Sequence, residues 1–191
     1  GPQEKLLGWS GIPSADIFFD NVEVSVGNVI VVANGGSKKL MVAFDLERCG
    51  NATMCLGQAS GALEKALKYV QEREQFGKPI VEFQAVQMKL AEMAMKVEGS
   101  RLLIHRAAHN AQEGFPSIFE SSVGKCFSNE TAREVVASAM QLMGGYGFNK
   151  EYPMERHYRD VWGWGIAGGT IDIQKINIAS AMVGKRFDQR K

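Results

Sequence analysis

A mainly α-helical fold, an antiparallel four-helix bundle entered from a β-rich segment, is what this 191-residue sequence predicts. Three observations carry the prediction. Beyond Leu40, apolar side chains recur at steps of three and four residues, the period of a helix with one buried face. Glycine and proline clusters cut that pattern into four stretches joined by short turns, the layout of a bundle. Ahead of Leu40 the pattern differs, with short runs of β-branched and aromatic residues broken by turn-forming pairs.

The β-rich segment comes first. Ile17, Phe18, Phe19, Val22, Val24, Val26, Val29 and Ile30, interrupted by Asp20-Asn21 and Gly27-Asn28, predict short strands within residues 14–30. Asn34-Gly35-Gly36-Ser37 then punctuates the chain, which sets a domain boundary between residues 33 and 34. In residues 60–72, Leu63, Ala66, Leu67 and Val70 share a helical face, and Gly77 and Pro79 end the pattern. A second helix carries Val86, Leu90, Met93 and Val97 and runs to about Gln112. Gly114-Phe115-Pro116-Ser117 separates it from a third, with Phe119, Val123, Phe127, Val135, Ala139 and Leu142. The fourth starts near Thr170 and turns Ile173, Ile176 and Val183 inward. Met88, Met93, Met95, Met140 and Met143 read as core filler.

Composition narrows the function classes. With 22 basic against 21 acidic residues the formal charge is +1, so no electrostatic footprint for nucleic acid or an anionic membrane exists. No apolar run approaches the ~18 residues of a membrane span. Cys49, Cys55 and Cys126 lack metal-type spacing and read as small buried thiols in a reducing compartment. His105 and His109 share a helical face without a third ligand, and His157 stands alone, so no metal site is expected. A small-molecule partner is the remaining expectation.

Three groups of residues then recur in a telling order. Leu7-Gly8-Trp9-Ser10-Gly11-Ile12-Pro13-Ser14-Ala15-Asp16, continuing to Val24, comes first. Arg73-Glu74-Gln75-Phe76-Gly77-Lys78-Pro79-Ile80 and Phe83-Gln84-Ala85-Val86-Gln87 come next. Gln141-Leu142-Met143-Gly144-Gly145-Tyr146-Gly147-Phe148, Tyr152-Pro153-Met154-Glu155-Arg156 and Arg159-Asp160 close the series. In order and spacing, over nearly the whole chain, these segments resemble the flavin-dependent acyl-CoA dehydrogenases. The resemblance implies that residues 1–33 are a remnant of that family's middle β-domain and residues 34–191 its C-terminal helical bundle. Members of the family carry an N-terminal helical domain and most of the β-domain ahead of this point. Because the chain opens on Gly1-Pro2-Gln3 without a methionine, it is expected to be a piece of a longer protein that does not turn over by itself.

The family's reaction takes the α-proton of an acyl-CoA thioester with one carboxylate while the β-hydrogen leaves as hydride to the flavin. Most members place that carboxylate just before a Gly-Thr pair ahead of the last helix. Here Gly168 holds the position, followed by Gly169 and Thr170. A glycine is no base. The family's other location for the base, in isovaleryl-type and long-chain-type members, matches Glu47 within Phe44-Asp45-Leu46-Glu47-Arg48. Glu47 is therefore expected to be the base, although by composition a glutamate beside Asp45 and Arg48 reads as a solvated charge. Phe44, Asp45 and Arg48 match positions that meet the CoA portion, with an i to i+3 ion pair as the structural alternative. Tyr69, Gly168 and Gly169 complete the expected substrate contacts.

Arg73, Phe76, Gln84, Gln141, Gly144, Gly145 and Thr170 match positions that hold FAD, Arg73 and Phe76 reaching the flavin of a neighbouring subunit. Arginine forks onto pyrophosphate and glycine admits close backbone approach, while a plain helix-ending turn is the alternative for the glycines. Asp172 stands where the family has a carboxamide or glutamate. Val161-Trp162-Gly163-Trp164-Gly165-Ile166-Ala167 also departs from the pattern. Ala167 and Gly168, in place of tyrosine and glutamate, imply room for a branched, long or ring-containing acyl group, the tryptophans serving otherwise as packing anchors.

The resemblance thus implies α,β-dehydrogenation of an acyl-CoA to the enoyl-CoA, with FAD as cofactor and an electron-transfer flavoprotein or similar acceptor. It also implies a homodimer or homotetramer, in the bacterial cytoplasm or the mitochondrial matrix rather than outside the cell. A non-catalytic structural or assembly subunit of the same family is the alternative that the loss at position 168 permits. An oxidase passing electrons to oxygen is a third.

Overall fold

Helix boundaries follow local chemistry throughout the computed structural model, which describes residues 1–30 and 36–187. The expected domain boundary between residues 33 and 34 lies outside the described residues. Helix α1 spans Gly36–Glu72. It gives way to a hairpin of β1 (Glu74–Gln75) and β2 (Lys78–Pro79), whose two-residue loop has φ 56° at Phe76 and 77° at Gly77. Tight hairpin loops need that left-handed pair. Helix α2, Gln84–His109, ends before a turn with left-handed Glu113 and Gly114. Helix α3, Ile118–Met143, is capped by Ser117, whose Oγ accepts from the Glu120 amide at 3.2 Å, and it stops at Gly144 with φ 56°. Three shorter helices follow: α4 (Gly145–Phe148), α5 (Met154–Trp164) and α6 (Ile171–Met182).

Cross-helix contacts set the directions. Asp45 meets Ser121, Asn51 meets Asn129 and Tyr69 stacks near Tyr146, so α1 and α3 run parallel. Helix α2 runs against α3, with Lys96 on Glu134 and Arg106 on Glu120. Helix α5 runs against α1, from His157 beside Gln58 to Trp164 beside Asn51. Helix α6 runs against α3, with Ile171 at Cys126 and Gln174 at Ser122. Alanines make the centre narrow: Ala52, Ala59, Ala62 and Ala66 of α1 face Ala132, Val135, Val136 and Ala139 of α3, all buried. Small side chains let these two backbones close up, and each buried valine contributes about 1.5 kcal/mol or more.

Four expectations are corrected. Residues 14–30 form no strand: only the bridge of Ala15 to Gln3 and a 3-10 turn at Val26–Asn28 appear, and Ile17, Phe18 and Phe19 are 76–79% exposed. A strand exists only through its partner, and among the described residues none lies beside this segment. Helices α4 and α5 stand beyond the four expected, because Gly163 and Pro153 hid the period of α5. In α6, Ile173, Ile176 and Val183 face outward, while Ile171 and Gln174 are buried. Apolar and polar residues are intermixed all round that helix, so its period could not choose a face. Met88 and Met95 are exposed; Met93, Met140 and Met143 do fill the core. No helix among the described residues is long and apolar enough to cross a membrane, and no metal-binding group forms among them.

Candidate functional site

Two faces of α1 divide the residues of its third and fourth turns. Asp45 and Arg48 point into the bundle and pair with each other, and Asp45 also accepts a bond from Ser121 Oγ at 3.2 Å. Burial raises the Asp45 carboxyl above its ordinary range, and the Arg48 cation partly opposes this. That pair is the structural alternative realised, in a buried form; Phe44 beside it is half-buried.

Glu47 takes the other face. Its side chain is exposed to solvent, yet its carboxylate lies directly on Gly168: a Cβ built on that glycine would stand 2.8 Å from Glu47 Cδ and Oε1. Real Cβ atoms do not approach so closely. The carboxylate therefore occupies the place a side chain at position 168 would need.

The turn under Glu47 is held from inside by its carbonyls. Asn51 Nδ2 donates to Trp164 O at 2.9 Å, and Lys125 Nζ donates to Ala167 O at 2.5 Å and Gly168 O at 3.1 Å. Gln174 Nε2 donates to Gly169 O at 3.1 Å. Gly168 and Gly169 adopt φ 66° and 88°, a left-handed pair that side chains rarely follow. Thr170 then caps α6, its Oγ1 accepting from the Ile173 amide at 3.4 Å. Burial lowers the Lys125 pKa, and the nearby Glu47 charge pulls it back up.

A separate cleft of about 440 Å³ opens at the far end of α1, lined by Tyr69, Arg73, Gln75, Gly144, Gly145 and Tyr146 among others. At ~1.5 Å per helical residue, Tyr69 stands roughly 33 Å along α1 from Glu47. Within one chain, then, Tyr69 belongs with Arg73 and not with Glu47. Phe76 sits exposed on the hairpin tip, Gln84 opens α2, and Gln141 lies exposed in the last turn of α3, around this same end. A third, apolar cleft of about 280 Å³ lies between Leu6, Leu7 and Trp9 and the face of Trp162, Ile166 and Ala167. Trp164 is a packing anchor, its ring 4.3 Å from that of Trp9.

Sequence reasoning missed the residues that hold the turn. Lys125, Asn51 and Gln174 are polar yet buried, because they lie where α1, α3 and α6 pack against one another. The available signal was a lysine inside the small-residue run Ser121–Thr131, where a solvated helix would carry more charge.

Residues 34–183 match the family description "Acyl-CoA dehydrogenase, C-terminal domain". A probable acyl-CoA dehydrogenase of Mycobacterium bovis is 39% identical over 184 residues, covering 96% of this chain and 47% of the relative. The solved butyryl-CoA dehydrogenase of Megasphaera elsdenii superposes with a TM-score of 0.92 at 35% identity, covering 96% of this chain and 48% of that one. A chain in the solved structure of an electron transferring flavoprotein of Acidaminococcus fermentans gives 0.92 at 38% identity, with the same two coverages. The chain spans about half the length of these relatives. Its helical bundle and its sequence together make it a member of the acyl-CoA dehydrogenase family, a flavin-dependent family in general, to which it contributes the C-terminal domain.

Proposed function

We propose that the full-length protein is an FAD-dependent acyl-CoA dehydrogenase that converts an acyl-CoA thioester to the enoyl-CoA, with Glu47 as the base. The contact of its carboxylate with Gly168 carries this reading, because the base then stands at the point where a carboxylate on residue 168 would project. Glu47 takes the proton from the α-carbon; bound FAD supplies the acceptor for the hydride that leaves the β-carbon. The buried Asp45–Arg48 pair fixes the turn of α1 that aims Glu47, and Phe44 flanks it toward the CoA portion.

The Arg73 cleft fits an anionic cofactor. An added Cβ on Gly144 or Gly145 meets no atom within 4 Å, leaving backbone open to approach, and Arg73 has no ion-pair partner among the described residues. Arg73, Phe76, Gln84 and Gln141 would grip the FAD there, with Thr170 near the other end. Because that cleft is roughly 33 Å from Glu47, it serves the flavin of a second copy, which makes the protein a homodimer or homotetramer. An electron-transfer flavoprotein or a similar acceptor receives the electrons. The small side chain of Ala167, which lines the apolar cleft, favours a branched, long or ring-containing acyl group.

Mixing the full-length flavoprotein with butyryl-, octanoyl-, isovaleryl- and phenylpropionyl-CoA and following flavin bleaching tests each part. Glu47→Gln is expected to slow bleaching by about 10²-fold or more, the usual weight of a general base. Wild-type speed in that variant would remove Glu47 from the mechanism. A strict preference for butyryl-CoA would remove the bulky-acyl reading alone.

A further inference from the structure

Lys125 is the largest fully buried side chain among the described residues, yet it has no part in the chemistry above. A buried ammonium is costly, and the usual compensation is a paired carboxylate. Lys125 has none: no acid forms an ion pair with it among the described residues, and its two hydrogen bonds go to the carbonyls of the two peptides that flank Gly168, Ala167 O and Gly168 O. Those carbonyls belong to the turn on which the Glu47 carboxylate rests.

We infer that Lys125 is a positioning residue: its ammonium pins the Ala167 and Gly168 carbonyls so that the turn holds the Glu47 carboxylate at a fixed place. The inference rests on the reading of Glu47 as the base. Two left-handed glycines in succession give the turn unusual backbone freedom, so something must remove it. Asn51 holds the turn at Trp164 and Gln174 holds it at Gly169, but among the described residues only Lys125 reaches the two carbonyls around Gly168. A charged donor suits the task, since hydrogen bonds from an ion are shorter and stronger than neutral ones, and a four-carbon stem spans the distance from α3. The nearby Glu47 charge also opposes the effect of burial on this cation.

The test uses the full-length flavoprotein in three variants: Lys125→Met, which keeps the volume and deletes the charge, Lys125→Gln, which keeps a shorter neutral donor, and Glu47→Gln as reference. Flavin bleaching is measured with the fastest acyl-CoA of the panel above and with its α-deuterated form. Binding is measured with the matching unreactive thioether, and hydrogen exchange is followed over residues 165–170. Lys125→Met is expected to slow bleaching roughly 10- to 100-fold, the cost of a misplaced reacting group. It should enlarge the α-deuterium isotope effect, speed exchange in the turn, and leave thioether binding and flavin content unchanged, with Lys125→Gln intermediate. Bleaching at the wild-type rate with an unchanged isotope effect, while Glu47→Gln is slow, overturns the role of Lys125 and spares that of Glu47. A wild-type rate in Glu47→Gln overturns both. Loss of flavin-loaded protein in both Lys125 variants assigns the lysine to folding alone and overturns the proposal.

Discussion

At Gly168 two physical constraints meet, one from the backbone and one from a neighbour. Its φ of 66° strains any L side chain by about 1 kcal/mol, and the Glu47 carboxylate fills the space beyond its Cα. Gly168→Ala should therefore both strain the turn and push the carboxylate aside. The expected result is at least a tenfold slower flavin bleaching with a melting temperature lowered by only a few degrees; an undisturbed rate would show that Glu47 does not need the vacant position. His157 illustrates a second local effect. It is half-buried, its Nδ1 2.5 Å from Gln58 Oε1, and burial, with Lys65 and Arg156 adding to it, lowers its pKa. The folded protein thus takes up this proton at lower pH than the unfolded chain, whose imidazole titrates near ~6.5. Stability from this group is complete above that value and is lost as pH falls toward the depressed folded pKa. Melting temperatures measured at intervals from pH 7.5 to 5 should fall less for His157→Gln than for wild type. Parallel curves would exclude the histidine as the cause.

Among the elements, the junction between the N-terminal segment and α5 is the most specific. Trp9 enters a notch that exists because residue 163 is glycine: a Cβ there would stand 2.5 Å from the indole Cε2. The indole nitrogen donates to Asp160 O at 3.0 Å, and the Trp9 amide donates to Asp160 Oδ1 at 2.7 Å. Arg159 adds a bond to Leu7 O at 3.0 Å. Trp9→Ala should cost about 2 kcal/mol, less than a fully buried tryptophan because this one is half-exposed. Thermal unfolding should then shift down by roughly 4–8 °C, and no shift would mean the junction is decorative. This junction also shows where sequence reading stopped. The helical period of α1 to α3 was legible because each has a distinct apolar stripe long enough to outweigh its exceptions, such as Leu67 and Phe127, which are exposed. Helix α5 was not, since its glycines serve tertiary approach and not a turn, a distinction that local composition does not make.

For the molecule as a whole, the 191-residue chain presents Ile17, Phe18, Phe19, Val24, Val26 and Ile30 to solvent, six large apolar side chains along one segment. The chain by itself is expected to associate through that segment and to show no dehydrogenase turnover with any of the four thioesters above, since it spans only about half the length of its relatives. Light scattering and the bleaching assay on this chain check both, and full turnover would show that this half is sufficient. The sequence by itself determined the helical class, the family resemblance and the absence of a carboxylate at position 168, because each is written in local period or in residue identity. Through the family resemblance it also named Glu47 as the base, but not where its carboxylate lies. The tertiary structure alone decided that the Glu47 carboxylate lies on Gly168, that Lys125 supports the turn between them, and that Tyr69 and Arg73 belong to a different cleft. Those facts depend on which points of four elements, far apart along the chain, are brought within a few ångströms, and no local pattern carries that distance.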